Sequence, residues 1–271
     1  MTKQQNDTEM VTYTRILLSF IEGMMRFWSA ESVSSRLSAT LASYKADASN
    51  DSIEGKYRAM LSWMDGISRE RFEAHTHVVN ASHLVYATSI FDTFLSETTL
   101  FMLLRNPGSI GGKRQVLLED VLDAASLVAL VNGAALKRAR EIAYQSFQDR
   151  ISFLGGTFGL RFTIDSNLLE KLERYAMLRN LAVHDQGTYE LKRTETGTVV
   201  ADERPGGGLV ISNDDPLNAA DTYGQIGTAI AESILTNVLA CPDHPLILGM
   251  KRIFRDRSVT NPFPTDPRDS I

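Results

Sequence analysis

Cysteine is almost absent: Cys241 is the single one in 271 residues. No disulfide can form within the chain, so burial and hydrogen bonding must hold the fold, and a reducing compartment is the natural setting. A leader of the basic-then-apolar kind is missing too. Met1 to Met10 is polar, and the expectation is a cytoplasmic protein. Long hydrophobic runs are lacking: Ile16 to Phe27 is interrupted by Ser19, Glu22 and Arg26, and Leu95 to Leu104 by Glu97 and Thr98. A membrane-spanning helix needs about 20 apolar residues, so none is expected. Excess positive charge is also missing. With 28 Lys and Arg against 33 Asp and Glu, the net charge is -5, which excludes wrapping of nucleic acid by the whole surface and leaves only a local basic groove. There is no internal repeat and no low-complexity tract. At 43% hydrophobic and 23% charged residues, the chain can bury a sizeable core as one large domain or two small ones.

What is present is mostly helical periodicity. Between Thr8 and Ala46, apolar residues recur three and four apart (Ile16, Phe20, Met24, Phe27, then Val33, Leu37, Leu41, Tyr44), predicting one or two amphipathic helices ended by Ala48 to Ser52. From Ser68 to Arg105 a longer run places Phe72, Val79, Tyr86, Phe94 and Phe101 on recurring faces before Asn106-Pro107-Gly108. Unbroken, it would span about 57 Å, and a kink is expected. Helices are further predicted near Val116 to Ala125, over Ala134 to Leu154 up to the glycines that follow, and over Ile164 to Gln186 with Asp165 or Ser166 as cap and Gly187 as stop. Thr188 to Val200 and Leu209 to Ser212 are richer in β-branched residues and flank Pro205-Gly206-Gly207-Gly208, predicting a small hairpin or flap. A last helix spans Pro216 to Leu239, and the tail beyond Cys241, with five prolines, reads as irregular. The fold class is therefore all-α with a small β-hairpin. The expected organisation is an N-terminal helical extension over 1–65, a main domain over 66–240 and an irregular tail over 241–271.

The chemistry concentrates at the end of the Ile164 to Gln186 helix, in Arg179-Asn180-Leu181-Ala182-Val183-His184. Each helical residue turns by about 100°, so Leu168, Leu172, Tyr175, Arg179 and Ala182 share a face, and the arginine continues an apolar stripe. An arginine placed there needs a partner. Asn180 and His184, four apart, are neighbours on an adjoining face, whereas Arg179 and His184 are separated by about 140° and about 7.5 Å. Such a spread suits a helix crossing its own copy at a two-fold axis, with both arginines and both histidines in one cleft.

The pattern Arg179-Asn180-x-x-x-His184 resembles the signature of the HEPN superfamily, small all-helical domains found in RNA-cleaving toxins and antiviral nucleases. The run Ala81 to Glu97, with Asp92 following Phe91, looks like that family's long partner helix. The likeness covers about Arg69 to Leu239. It implies a HEPN-like helical bundle, a homodimer with a composite site, and a metal-independent endoribonuclease that leaves a 2′,3′-cyclic phosphate, serving as a toxin or antiviral defence effector with a neutralising antitoxin or an activating partner. RNA supplies its own nucleophile, the 2′-hydroxyl. His184 would serve as base or acid, Arg179 would bind the phosphate oxygens as charge builds, and Asn180 would orient His184 or hold a phosphate oxygen. Asp92 is the auxiliary residue in this reading, bonding the catalytic Arg or His, or else an ordinary helix-surface carboxylate. Lys192 and Arg193, in the strand region beyond the motif, are candidate RNA-backbone contacts or a solvated strand face. Tyr189 follows the motif by five positions, not two, so it departs from toxins silenced by nucleotidylation of a His-x-Tyr tyrosine.

Other groupings carry less. Glu73 and His77, four apart beside His75 and His83, converge only two ligands, and no metal or cofactor is expected. Gly108-Ser-Ile-Gly-Gly-Lys113 has Pro107 where a phosphate loop needs its first glycine, and Arg114 where it needs Ser or Thr. Gly206 to Gly208 reads as a hairpin tip, and Lys137, Arg138 and Arg140 as a solvated helix face. The second reading of the chain is a catalytically inactive HEPN module that binds RNA, a nucleotide or a partner protein. The third is a polar network that merely seals a dimer seam.

Overall fold

The computed structural model describes residues 3–47, 55–111, 121, 124–184, 190–193, 199–202, 211–212 and 214–254, and side chains for these other than 3–4, 31–47, 55–77, 184 and the two strand segments. Helices dominate. In order they are α1 (Lys3–Asp47), α2 (Gly55–Arg105), a 3-10 turn (Pro107–Ile110), α3 (Leu127–Ala143), α4 (Phe147–Phe158), α5 (Ser166–His184), α6 (Asp215–Ser233), which runs into a π turn (Ile234–Val238), and α7 (Pro245–Phe254). Between α5 and α6, strands β1 (Glu190–Arg193) and β2 (Val199–Asp202) pair antiparallel, Glu190 opposite Asp202 and Arg193 opposite Val199.

Several sequence expectations need correction. The break expected near residue 65 falls inside α2, which begins at Gly55. The helix expected over Ala134 to Leu154 is two helices, because Ser146 starts α4 afresh: its Oγ accepts from the Asp149 amide at 3.1 Å and donates to the Asp149 carboxylate at 2.7 Å. Gly155 and Gly156 do not stop α4, which closes at Gly159 in left-handed geometry (φ 64). The tail read as irregular contains α7. Pro245 opens that helix in the position where its missing N–H costs nothing, and Ile247, Met250 and Phe254 recur on one buried face. The paired strands flank residues 194–198, not the glycine run; Gly206 to Gly208, Tyr189 and most of the helix expected over Val116 to Ala125 lie outside the described residues.

Two compact units make up the chain. The first comprises Met1–Glu22, Thr88–Glu173 and Asp221–Ile271; the second comprises Gly23–Ala87 and Arg174–Ala220. In the first, aromatics of α1, α2 and α6 form the core. Phe20 lies 4.5 Å from Phe94, and Phe91 stacks on Tyr223 at 4.9 Å and 9°. Such a buried ring contributes about 2–3 kcal/mol. Tyr223 settles its hydroxyl on Thr88 Oγ1 at 3.0 Å. The rings come this close because α6 is bare where they meet it: a Cβ on Gly227 would stand 2.8 Å from the Phe20 ring, and one on Gly224 would collide with Phe254. The π turn is closed by Leu239 N–H donating to Ile234 O at 3.0 Å, and Arg105 Nη2 donates to Val238 O at 3.0 Å while pairing with Glu9. A further apolar cluster joins Leu103 of α2 to Ala135, Ala139 and Ile142 of α3. In the second unit the buried set includes Met24, Phe27, Leu84, Tyr175, Leu178 and Ala219, with His83 edge-on to Phe27 at 6.1 Å.

Tyr13, fully buried and 5.1 Å from Phe101, has its phenol pushed up by burial, with the Thr98 hydroxyl pulling weakly the other way. Its folded value lies above that of the unfolded chain, so its stabilising contribution is intact below about pH 10 and is lost as pH rises beyond that. Urea unfolding measured at increasing alkaline pH should show stability falling, and Tyr13→Phe should reduce that slope by about 1.4 kcal/mol per pH unit.

Candidate functional site

The motif helix α5 is started by Asp165, whose Oδ1 accepts from the Asn167 amide at 2.9 Å and whose carbonyl accepts from Leu168 and Leu169 at 3.0 and 3.2 Å. Its buried residues are Leu172, Tyr175, Leu178 and Leu181. Arg179 stands at the border of that stripe, half-buried, and Asn180 is exposed. Arg179 Nη1 donates to Asn180 Oδ1 at 3.0 Å, while its Nε is buried without a hydrogen-bond partner. His184 is the last residue of α5; its side chain lies outside the described residues. So do the side chains of Lys192 and Arg193, whose backbones pair with Val200 and Val199. Glu73 and His77, the two-ligand edge set aside in the sequence, and His75 beside them likewise have side chains outside the described residues.

Charge balance distinguishes Arg179. Among the described residues five arginines are buried or half-buried, and four of them meet a carboxylate: Arg105 with Glu9, Arg138 with Glu141, Arg150 with Asp92 and Arg174 with Asp215. Arg179 meets only a neutral amide. The Asn180 oxygen is occupied by that arginine, which leaves its NH₂ as the group offered outward. Arg179 and Asn180 together thus present donors and a net positive charge, with no carboxylate against them among the described residues.

Asp92, in the sequence either an auxiliary to the catalytic Arg or His or a helix-surface carboxylate, meets Arg150 among the described residues. Arg150, at 1% exposure, pairs with its carboxylate, donates to its backbone carbonyl at 3.0 Å and to Ser96 Oγ at 2.9 Å, and lies 5.4 Å over the Phe147 ring. Asp92 belongs to the first unit and Arg179 to the second. The signal for Arg150 was present in the sequence: Phe147, Arg150, Ile151 and Leu154 recur at helical spacing, a charge inside an apolar stripe that has to be paired.

A second constellation, unread in the sequence, lies beside the motif in the second unit. Asp215, buried at the start of α6, accepts from Arg174 Nη2 at 2.7 Å and from the Ser212 amide at 2.9 Å. The latter bond is half of a capping box, legible in Ser212-x-x-Asp215. Arg174 also lies 5.3 Å over the Tyr175 ring. Burial pushes the Tyr175 phenol up, Asp215 adds to the rise, and Arg174 counters it through its charge and a hydrogen bond. Asn80 of α2 reaches Ile211 O at 3.5 Å. The segment returning from the strands is thereby fastened to α5 one turn before Arg179.

Compared with family profiles, curated proteins and solved structures, the chain matches none. The likeness to HEPN proteins therefore rests on the motif residues and their helical setting.

If Asp92 serves Arg150, Asp92→Ala strands a buried charge and should cost about 3–5 kcal/mol. Asp92→Ala with Arg150→Met should recover much of that loss in urea denaturation, because no unpaired charge then remains in the core.

Proposed function

We propose that the chain is a metal-independent endoribonuclease of HEPN type, acting as a homodimer in which two α5 helices cross at a two-fold axis. The observation that carries the reading is Arg179: a half-buried cation at the end of α5, held by Asn180 and facing no carboxylate among the described residues. A phosphodiester is an anion of the right kind to complete it. The guanidinium would bind two non-bridging oxygens and gain strength as charge builds at phosphorus. The Asn180 NH₂ would donate to a third oxygen or to the His184 ring. His184, one turn beyond Asn180, would take the proton from the 2′-hydroxyl or give one to the departing 5′-oxygen, its mate in the dimer taking the other role. Bond making and breaking then balance within the RNA: the 2′-oxygen attacks phosphorus, the P–O5′ bond breaks, and a 2′,3′-cyclic phosphate and a 5′-hydroxyl result. Lys192 and Arg193 on β1 would extend the positive path along the backbone, with the hairpin as a flap over the cleft. A role as toxin or antiviral effector, with an antitoxin or activator, accords with this activity.

The test is cleavage of labelled single-stranded RNA and of a transfer RNA pool in EDTA. Wild-type protein should cut and leave cyclic phosphate ends. Arg179→Ala and His184→Ala should each lose at least about 100-fold in rate while keeping wild-type helix content. RNA binding without cutting by folded wild type would replace this reading with that of an inactive binding module.

A further inference from the structure

Helix α3 has one face packed and the opposite face bare. Ala135, Ala139 and Ile142 are buried in the cluster that holds Leu103. At about 100° per residue, Lys137, Arg140 and Tyr144 fall within about 60° of one another on the far side, along about 10.5 Å of the axis. All three are exposed. Tyr144 is 93% exposed, more than any other large apolar side chain among the described residues. It closes α3 in ordinary helical geometry, and Ser146 caps α4 two residues later. The ring therefore stands at the corner between two helices.

Pairing separates these cations from the one between them. Arg138 bonds Glu141 at 3.1 Å and lies 5.4 Å over the Phe153 ring. Lys137 and Arg140 meet no carboxylate among the described residues, and the Tyr144 ring meets neither a second ring nor a cation there. The nearest acids along the chain are engaged, Glu141 by Arg138 and Asp149 by the Ser146 hydroxyl. The dipole of α3 favours a cation in its last turn and accounts for Arg140. It does not account for Lys137 in line with it, nor for an aromatic ring left in water. Two cations followed by an open aromatic face are complementary to an unpaired strand, whose phosphates seat on the charges and whose bases are free to stack on the ring. A duplex keeps its bases stacked on one another and offers only the phosphates.

We propose that the exposed face of α3 binds single-stranded nucleic acid, with Lys137 and Arg140 on the backbone and Tyr144 against a base. Two cations and one ring make a weak, salt-sensitive contact. The face belongs to the first unit and Arg179 to the second. It uses no residue of the Arg179 motif and stands whether or not RNA is cleaved.

The experiment is fluorescence anisotropy with a labelled oligothymidylate, which lacks the 2′-hydroxyl and so cannot be cut by the chemistry proposed above. It is titrated against full-length wild type, Lys137→Ala, Arg140→Ala, Tyr144→Ala and Tyr144→Phe over a range of salt, with helix content checked by circular dichroism. Each cation removed should reduce the slope of log affinity against log salt by about 0.7. Tyr144→Ala should weaken binding about tenfold with the slope unchanged, and Tyr144→Phe should bind like wild type. The same losses should appear in an Arg179→Ala background, which separates this face from the motif. Folded wild type that ignores the strand, alanine variants that bind like wild type, equal affinity for a duplex of the same length, or losses seen only while Arg179 is intact would each overturn the proposal. So would binding to phosphatidylserine vesicles in place of the strand.

Discussion

The first unit depends on how near two helices can bring their aromatic rings to the bare backbone of α6. Gly224 and Gly227 are three apart, on adjoining turns of one face, and each is filled by a ring from another helix, Phe254 and Phe20. Once those rings occupy the places where Cβ atoms would be, Phe94 can lie against Phe20 and Phe91 against Tyr223. Any side chain at either glycine would push a ring out, and the loss would spread, because close-packed interiors transmit displacement rather than absorb it. Glycine within a helix costs about 1 kcal/mol in propensity, and the burial it permits exceeds that several times over.

In each unit a buried charged group among the described residues is matched, and differently. Arg150 is enclosed, so its desolvation has to be offset by both Asp92 contacts, Ser96 and the face of Phe147. Arg174 is different. Its side chain is 41% exposed while Asp215 is 5% exposed, so the carboxylate is the member that would suffer if the pair were broken. Asp215 also holds the first turn of α6 through Ser212, which links the entry of that helix to α5. The two pairs therefore do different jobs: one makes a buried cation tolerable, and the other ties a chain reversal to the helix that carries the motif.

The helical parts were legible in the sequence where three- and four-residue apolar spacing ran uninterrupted, as in α1, α2 and α6. Boundaries were less so. The serine cap at Ser146 is two polar atoms strong and outweighs the continuous apolar pattern from Ala134 onward, whereas Gly155 and Gly156 are tolerated because Leu154 and Phe158 still pack. Prolines after Cys241 obscured α7, although Pro245 is there a helix starter. Of the candidate site, Arg179 and Asn180 were legible as a motif, and their mutual bond is a local, short-range consequence of sequence. The partners of Asp92 and of Arg174 were not, because 58 and 41 residues separate the groups that meet, and no local pattern specifies a pairing at that distance.

Arg179 gains its meaning from how the other buried or half-buried arginines are paired. A fold that supplies Glu9, Glu141, Asp92 and Asp215 to four buried or half-buried guanidinium groups shows what this chain does with a cation it needs only for structure: it places a carboxylate against it. Among the described residues Arg179 has an amide instead, and its Nε is without a hydrogen-bond partner, as is the Nε of Arg150. Leaving a partly desolvated charge uncompensated costs stability, of the order of 1–3 kcal/mol for a single missing bond to a charged group. The two groups are joined locally, Arg179 Nη1 donating to Asn180 Oδ1 at 3.0 Å, and the amide NH₂ and the remaining guanidinium N–H groups are donors only. Arg179 and Asn180 are thus set apart by local geometry, a cation joined to a neutral neighbour where the other four arginines meet a carboxylate.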